Sequence, residues 1–190
     1  MAQFSRCTVD SSSLRRRAER FVRLIPGQPD YGAEAVAIAT SRCAPLQLGG
    51  QARISFQPIL FRSALFSALY QREFGRTAPS DLRSAPPLSL ADEFYGDTST
   101  LPQDLRLIRA LGDCAARADT AGVHAMLRTE AGSRDERPAL DAAIPVLSSC
   151  LPAGRDLRFS RGMLRGILAE GLYKLRKAAA ARPASASDGG

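Results

Sequence analysis

The sequence predicts an all-α fold: two similar three-helix repeats joined by a Pro-rich crossover, packed into one compact domain. Three observations carry this expectation. Residues 54–70 (ISFQPILFRSALFSALY) match residues 157–173 (LRFSRGMLRGILAEGLY) at a constant offset of 103, which sets Phe56 on Phe159, Arg62 on Arg165, Leu65 on Leu168, Leu69 on Leu172 and Tyr70 on Tyr173. Cys7 and Cys43 are 36 residues apart, and so are Cys114 and Cys150. Apolar residues recur at the helical period in segment after segment. The boundaries this implies are 1–75 for repeat one, 76–101 for the crossover, 102–178 for repeat two and 179–190 for a disordered tail.

Repeat one opens with Cys7, and Asp10-Ser11-Ser12-Ser13 supplies N-cap residues before Leu14. Leu14, Ala18, Phe21, Val22 and Ile25 form one apolar stripe, with Arg15, Arg16, Arg17, Arg20 and Arg23 largely on the opposite face. Pro26-Gly27-Gln28-Pro29-Asp30 ends that helix and starts the next. Residues 31–43 read as a small-residue helix with Ala33, Val36, Ala37 and Thr40 on one face and Cys43 at its end. Two antiparallel helices joined by a short turn bring the start of the first beside the end of the second. That geometry places Cys7 by Cys43.

Repeat two follows the same plan. Asp119-Thr120 caps a helix lined by Val123, Met126 and Leu127, and Ala131-Gly132-Ser133 makes the turn. A second helix lined by Leu140, Ala143, Ile144 and Leu147 runs through Pro145 to Cys150. The third helix of each repeat follows a short extended piece (53–56 and 157–159) and is capped near Ser55 or Ser160, with Pro58 fitting its first turn. Leu60, Phe61, Ala64, Leu65, Ala68 and Leu69 form the buried side in the first copy. Met163, Leu164, Ile167, Leu168, Gly171 and Leu172 do so in the second. Tyr70 and Tyr173 close these helices, with the hydroxyls expected at the surface. Between the repeats, 74–101 reads as a crossover or linker with little regular structure, and 102–113 as an extra helix with no counterpart before Cys7.

Composition sets the class. The chain has 190 residues, 45% apolar and 24% charged, without Trp, which is ordinary for a soluble globular protein able to bury a core. No apolar run reaches the roughly 18–20 residues of a membrane helix. Residues 1–7 lack the apolar centre of a signal peptide, which fits a cytoplasmic chain and equally a mature exported one. The net charge is +7, with 24 Arg against 2 Lys. Only Arg15-Arg16-Arg17, continued by Arg20 and Arg23, is dense, and it lacks the interleaved aromatics of a nucleic-acid surface, so nucleic acid is disfavoured as a partner.

Catalytic signatures are missing from the sequence: there is no CxxC, HExxH, Walker loop, GxSxG or GxGxxG. His124 is the single histidine and has no ligand or base beside it. The cysteine spacing suits two disulfides, Cys7–Cys43 and Cys114–Cys150, better than a zinc site, whose ligands come as close pairs. No cofactor or metal is expected. Arg62 and Arg165, recurring inside an apolar helix, are candidate anion- or partner-binding residues. They suit better a stem packed on the core with the head ion-paired or capping a carbonyl. Arg15, Arg16 and Arg17 are the other binding candidates.

Gly112-Asp113-Cys114 with Ala118-Asp119, Ser149-Cys150-Leu151-Pro152, the 157–173 segment, and Tyr70 with Arg72-Glu73-Phe74-Gly75 together resemble an uncharacterised family of small exported bacterial helical proteins. The resemblance implies export, to the periplasm or outside the cell, and a helical fold; it implies no substrate, cofactor or catalytic residue. The expected role is therefore a non-enzymatic scaffold with a protein partner. The alternative is a cytoplasmic nucleic-acid-binding protein using the Arg15–Arg23 face.

Overall fold

The computed structural model describes residues 1–39, 43, 57–154 and 157–181. Nine α-helices and one 3₁₀ turn occur among them, and no strand. In chain order they are α1 (Ala2–Asp10), α2 (Ser12–Phe21), α3 (Pro29–Ala39), α4 (Pro58–Phe74), α5 (Leu90–Glu93), the turn Thr98–Thr100, α6 (Gln103–Ala118), α7 (Thr120–Arg128), α8 (Glu136–Ser149) and α9 (Arg161–Ala181). The all-α expectation holds.

The helix starts follow the expected chemistry. The Asp119 side chain accepts from Gly122 N at 2.8 Å, Ser160 Oγ from Met163 N at 3.3 Å, and Pro58 occupies the first turn of α4. Pro145 lies within α8 without ending it. The expected extended piece and cap at 53–56, and Thr40, lie outside the described residues.

Two expectations about the first half are corrected. Cys7 lies inside a helix, α1, which holds Ser5, Thr8 and Val9 in the core. Its apolar content is too low to signal a helix, and packing against α4 decides it. The face of α3 is also different. Tyr31, Ala35, Ile38 and Ala39 are buried, whereas Val36 is 59% exposed. Tyr31 sets that face, stacking on Phe21 at 4.7 Å between ring centroids.

The second half keeps the expected faces at Val123, Met126, Leu127, Leu140, Ala143 and Leu147, while Ile144 is exposed. The extra helix α6 continues through Cys114 to Ala118. The crossover is ordered by burial of Leu82, Phe94 and Leu101. Residues 179–181, assigned to a disordered tail, complete the last turn of α9.

The centre is a seam between α4 and α9, with α6 on the far side of α9 and α1 over α4. The helix axes approach closely because side chains are missing at the crossings. A Cβ on Gly166 would sit 2.2 Å from Ser63 Cβ, and one on Gly171 would sit 2.1 Å from the Gly112 carbonyl oxygen. Leu65, Phe66, Leu69, Ile167, Leu168 and Leu172 from both helices belong to one continuous core with Phe21, Leu111 and Leu127. The disulfides Cys7–Cys43 and Cys114–Cys150 have Cα separations of 5.6 and 5.9 Å. The first ties α1 to the residue beyond α3; the second ties α6 to the end of α8.

Candidate functional site

The middles of α4 (61–70) and α9 (165–173) are buried almost all round, so an ionisable residue within them must be answered inside the protein. Arg62 is 2% exposed. Its Nη1 and Nη2 donate to the two carboxylate oxygens of Glu170 at 2.6 and 2.7 Å, and its Nε donates to the Val22 carbonyl at 3.2 Å. The guanidinium lies over the Phe66 ring, 4.7 Å from the centroid. Glu170 also accepts from Lys174 Nζ at 2.5 Å, and Lys174 reaches Glu93 at 2.6 Å. Arg109 closes the chain by donating to Glu93 and to the Leu88 carbonyl. Burial by itself would raise the Glu170 pKa, but the charges of Arg62 and Lys174 outweigh it and hold the carboxyl at about 2.

Arg165, 3% exposed, is answered differently. Its Nε donates to Ser67 Oγ at 2.8 Å, Nη1 to Glu136 at 3.1 Å and Thr129 Oγ1 at 3.2 Å, and Nη2 to the Leu127 and Thr129 carbonyls at 2.8 and 2.7 Å. Those carbonyls belong to the end of α7, where acceptors are left over by the helix. Burial lowers the Arg165 pKa, Glu136 opposing and Arg6 adding to the shift. Glu136 Oε2 accepts from Gly132 N at 2.7 Å, so both its oxygens are engaged. Of the candidate binding residues, Arg62 is thus committed to the interior, and Arg165 has all its nitrogens engaged by its neighbours.

The tyrosine hydroxyls are buried, against expectation. Tyr70 is fully buried, with its hydroxyl 2.6 Å from His124 Nδ1 and 3.5 Å from Arg176 Nη1. Arg176 donates to that hydroxyl, and either the hydroxyl or Nδ1 can carry the proton they share. Burial, then Arg176 and Arg128, depress the His124 pKa and favour the neutral imidazole. Tyr173 donates to Glu73 at 2.8 Å, and burial chiefly, then Glu73, raises its pKa.

Positions 103 residues apart thus take part in matched contacts. Ser63 meets its own match, Gly166. Arg62 bonds to Glu170, and their matches Arg165 and Ser67 bond to each other. Tyr70 meets Arg176, and their matches Tyr173 and Glu73 meet likewise.

The surface cations scatter. Arg15 pairs with Glu19 at 3.9 Å along α2, and Arg17 pairs with Glu34 on α3 at 2.7 Å. Arg16 turns instead toward an open cleft of about 540 Å³ between α2, the α5 region and α9, which Arg20 and Arg23 also line. A second cleft, of about 500 Å³, lies between α4 and the start of α9, with Ser67, Glu136 and Arg165 in its lining. Sequence reasoning weighed Arg16 but missed this cleft, because α9 and the α5 region are remote from it in the chain. Among the described residues no cluster of His, Cys, Asp or Glu is arranged to hold a metal ion, and no helix is long and apolar enough to cross a membrane. Comparison with protein-family models, curated proteins and solved structures gives no match.

Proposed function

We propose that this chain is a non-enzymatic exported scaffold, built as two like units about a pseudo-two-fold axis through the α4–α9 seam, that acts by binding a protein partner. The observation that carries the reading is that its reactive groups are already engaged by one another. An active site needs a nucleophile, base or ligand set facing a space a substrate can enter. Here His124 is engaged by Tyr70 in the core, the four cysteines are joined in pairs, and Glu170, Arg62 and Arg165 answer one another or their neighbours. Disulfides persist in oxidising compartments, which supports export to the periplasm or beyond. The cytoplasmic nucleic-acid reading loses support because Arg15 and Arg17 are already ion-paired.

The test has two parts. Natively produced protein should run about 4 Da below its reduced mass, with linked peptides within each cysteine pair; four alkylatable thiols would remove the exported reading. The immobilised, oxidised chain should then form a saturable one-to-one complex with a protein of the exported fraction, measured by titration calorimetry after purification. No such complex, or a complex only with nucleic acid, overturns the scaffold reading.

A further inference from the structure

We propose that the cleft between α2, the α5 region and α9 is the docking site for an acidic, partly apolar segment of a partner protein. This rests on the scaffold reading and assigns it a surface. The cleft joins two kinds of lining. Leu88, Ala178 and Ala181 give it an apolar floor above the buried Phe66 and Tyr173, and Arg16, Arg20, Arg23 and Lys177 stand around that floor. Lys174 and Glu93 also reach it but are held by the buried network beneath.

Lys177 pairs with Glu73 at 3.2 Å, whereas the three arginines are under-used. Arg16 and Arg20 are exposed and make no hydrogen bond or ion pair with the described residues. Among the described residues Arg23 donates one bond, Nη2 to the Asp92 carbonyl at 2.9 Å, while its buried Nε finds no acceptor. Some other arginines have a carboxylate partner, Arg17 with Glu34, Arg109 with Glu93 and Arg117 with Asp113; Arg16 and Arg20 have none within ion-pair distance among the described residues, and they stand together at one cleft. Unpaired guanidiniums gathered at one apolar cleft are suited to carboxylates that arrive from outside, where bidentate geometry is open to them. Tyr95 stands at the rim, 46% exposed, under the Arg23 guanidinium at 4.1 Å. A tyrosine and several arginines around an apolar floor are the residue types that dominate protein interfaces.

The lining also selects among anions. A nucleic-acid strand needs free aromatic faces for base stacking, and the Arg23 guanidinium already lies over the exposed Tyr95 ring. Glu19 and Asp92 share the lining and would repel a continuous phosphate backbone. Spaced carboxylates on a peptide avoid them, and its apolar side chains use the floor.

The experiment selects random twelve-residue displayed peptides on the oxidised full chain. Recovered peptides should be enriched in Asp and Glu interspersed with Leu, Phe or Tyr. Their affinity should fall at least tenfold in the double variant Arg16→Glu/Arg20→Glu, fall with added salt, and stay unchanged in the control Arg134→Glu/Arg137→Glu. Both cleft positions are exposed, but Arg20 also helps to hold the Glu34 carboxyl charged, so the neutral double variant Arg16→Gln/Arg20→Gln is measured beside the Glu variant and should weaken binding as well. Peptides without acidic bias, or peptides that bind the cleft variant normally, overturn the proposal. So does tighter binding of a twelve-nucleotide oligo-dT or of dodecanoate that depends on the same arginines. A partner complex that survives Arg16→Glu/Arg20→Glu removes the cleft and leaves the scaffold; absence of any partner complex removes the scaffold.

Discussion

Arg62 on α4 and Arg165 on α9 align in sequence at an offset of 103, yet they are neutralised by unlike means. Arg62 faces a full carboxylate across the seam, Glu170, which it shares with Lys174. At the position matching Glu170 stands Ser67, so Arg165 receives only a hydroxyl across the seam. It gathers the remainder locally, from Glu136 on α8, Thr129 and two carbonyls at the end of α7. One buried cation therefore depends on a single charge far along the chain, and the other on many small contributions from its own half. The first arrangement is brittle and the second redundant.

That difference sets the largest expected effect. Glu170→Gln leaves Arg62 without a bonded carboxylate in the core, while Lys174 keeps Glu93, and losing one partner of a buried pair costs about 3–5 kcal/mol. Glu136→Gln leaves Arg165 its other acceptors and should cost about 1–3 kcal/mol, within the range for one charged hydrogen bond. Urea unfolding of both variants measures the gap. Equal losses would mean that Arg165 depends on its carboxylate as fully as Arg62 does.

The disulfides sharpen the same contrast at somewhat smaller scale. Both close loops of 36 residues, so the chain-entropy view assigns each about 3–4 kcal/mol. The surroundings differ. Cys114 lies in α6, which packs along α9, whereas Cys43 follows α3, a small-residue helix with Val36 outward. Cys7→Ser/Cys43→Ser should release α3 locally, seen as fast amide exchange there, with α6 and α9 still protected. Cys114→Ser/Cys150→Ser should lower the cooperative unfolding of the whole core. Identical exchange patterns in the two variants would refute the distinction.

How much of this was legible follows from where each signal lies. The stripe Val123, Met126 and Leu127 and the equal cysteine spacing are local or periodic, and the structure has the matching helix and bonds. α1 was not legible, because its buried Ser5 and Thr8 carry no apolar period. The face of α3 was misread because alanines mark every side of it and Tyr31 alone breaks the tie. The partner of Arg62 lies 108 residues away, beyond any window of periodicity. A signal did exist: Glu170 is a carboxylate inside the buried stripe of the second copy, as Arg62 is a cation inside the first. Two charges that neither helix can tolerate alone are a reason to pair the helices.

Acid should expose the same asymmetry without any mutation. In the folded chain Arg62 and Lys174 hold Glu170 at about 2 against an ordinary 4.5. A depressed carboxyl pKa means the unfolded chain takes up its proton first as the pH falls. The stabilisation is therefore complete above the ordinary value and is lost between about 4.5 and about 2. A shift of that size corresponds to about 3 kcal/mol at most. His124 acts in the neighbouring window, since its pKa lies below the ordinary 6.5; its stabilisation is complete above that value and declines below it. Unfolding free energy measured from pH 7 to pH 2 should thus fall in two steps. Glu170→Gln should flatten the lower one and leave the upper, and Glu136→Gln should retain both. A lower step that persists unchanged in Glu170→Gln would show that the seam carboxylate is not what acid attacks.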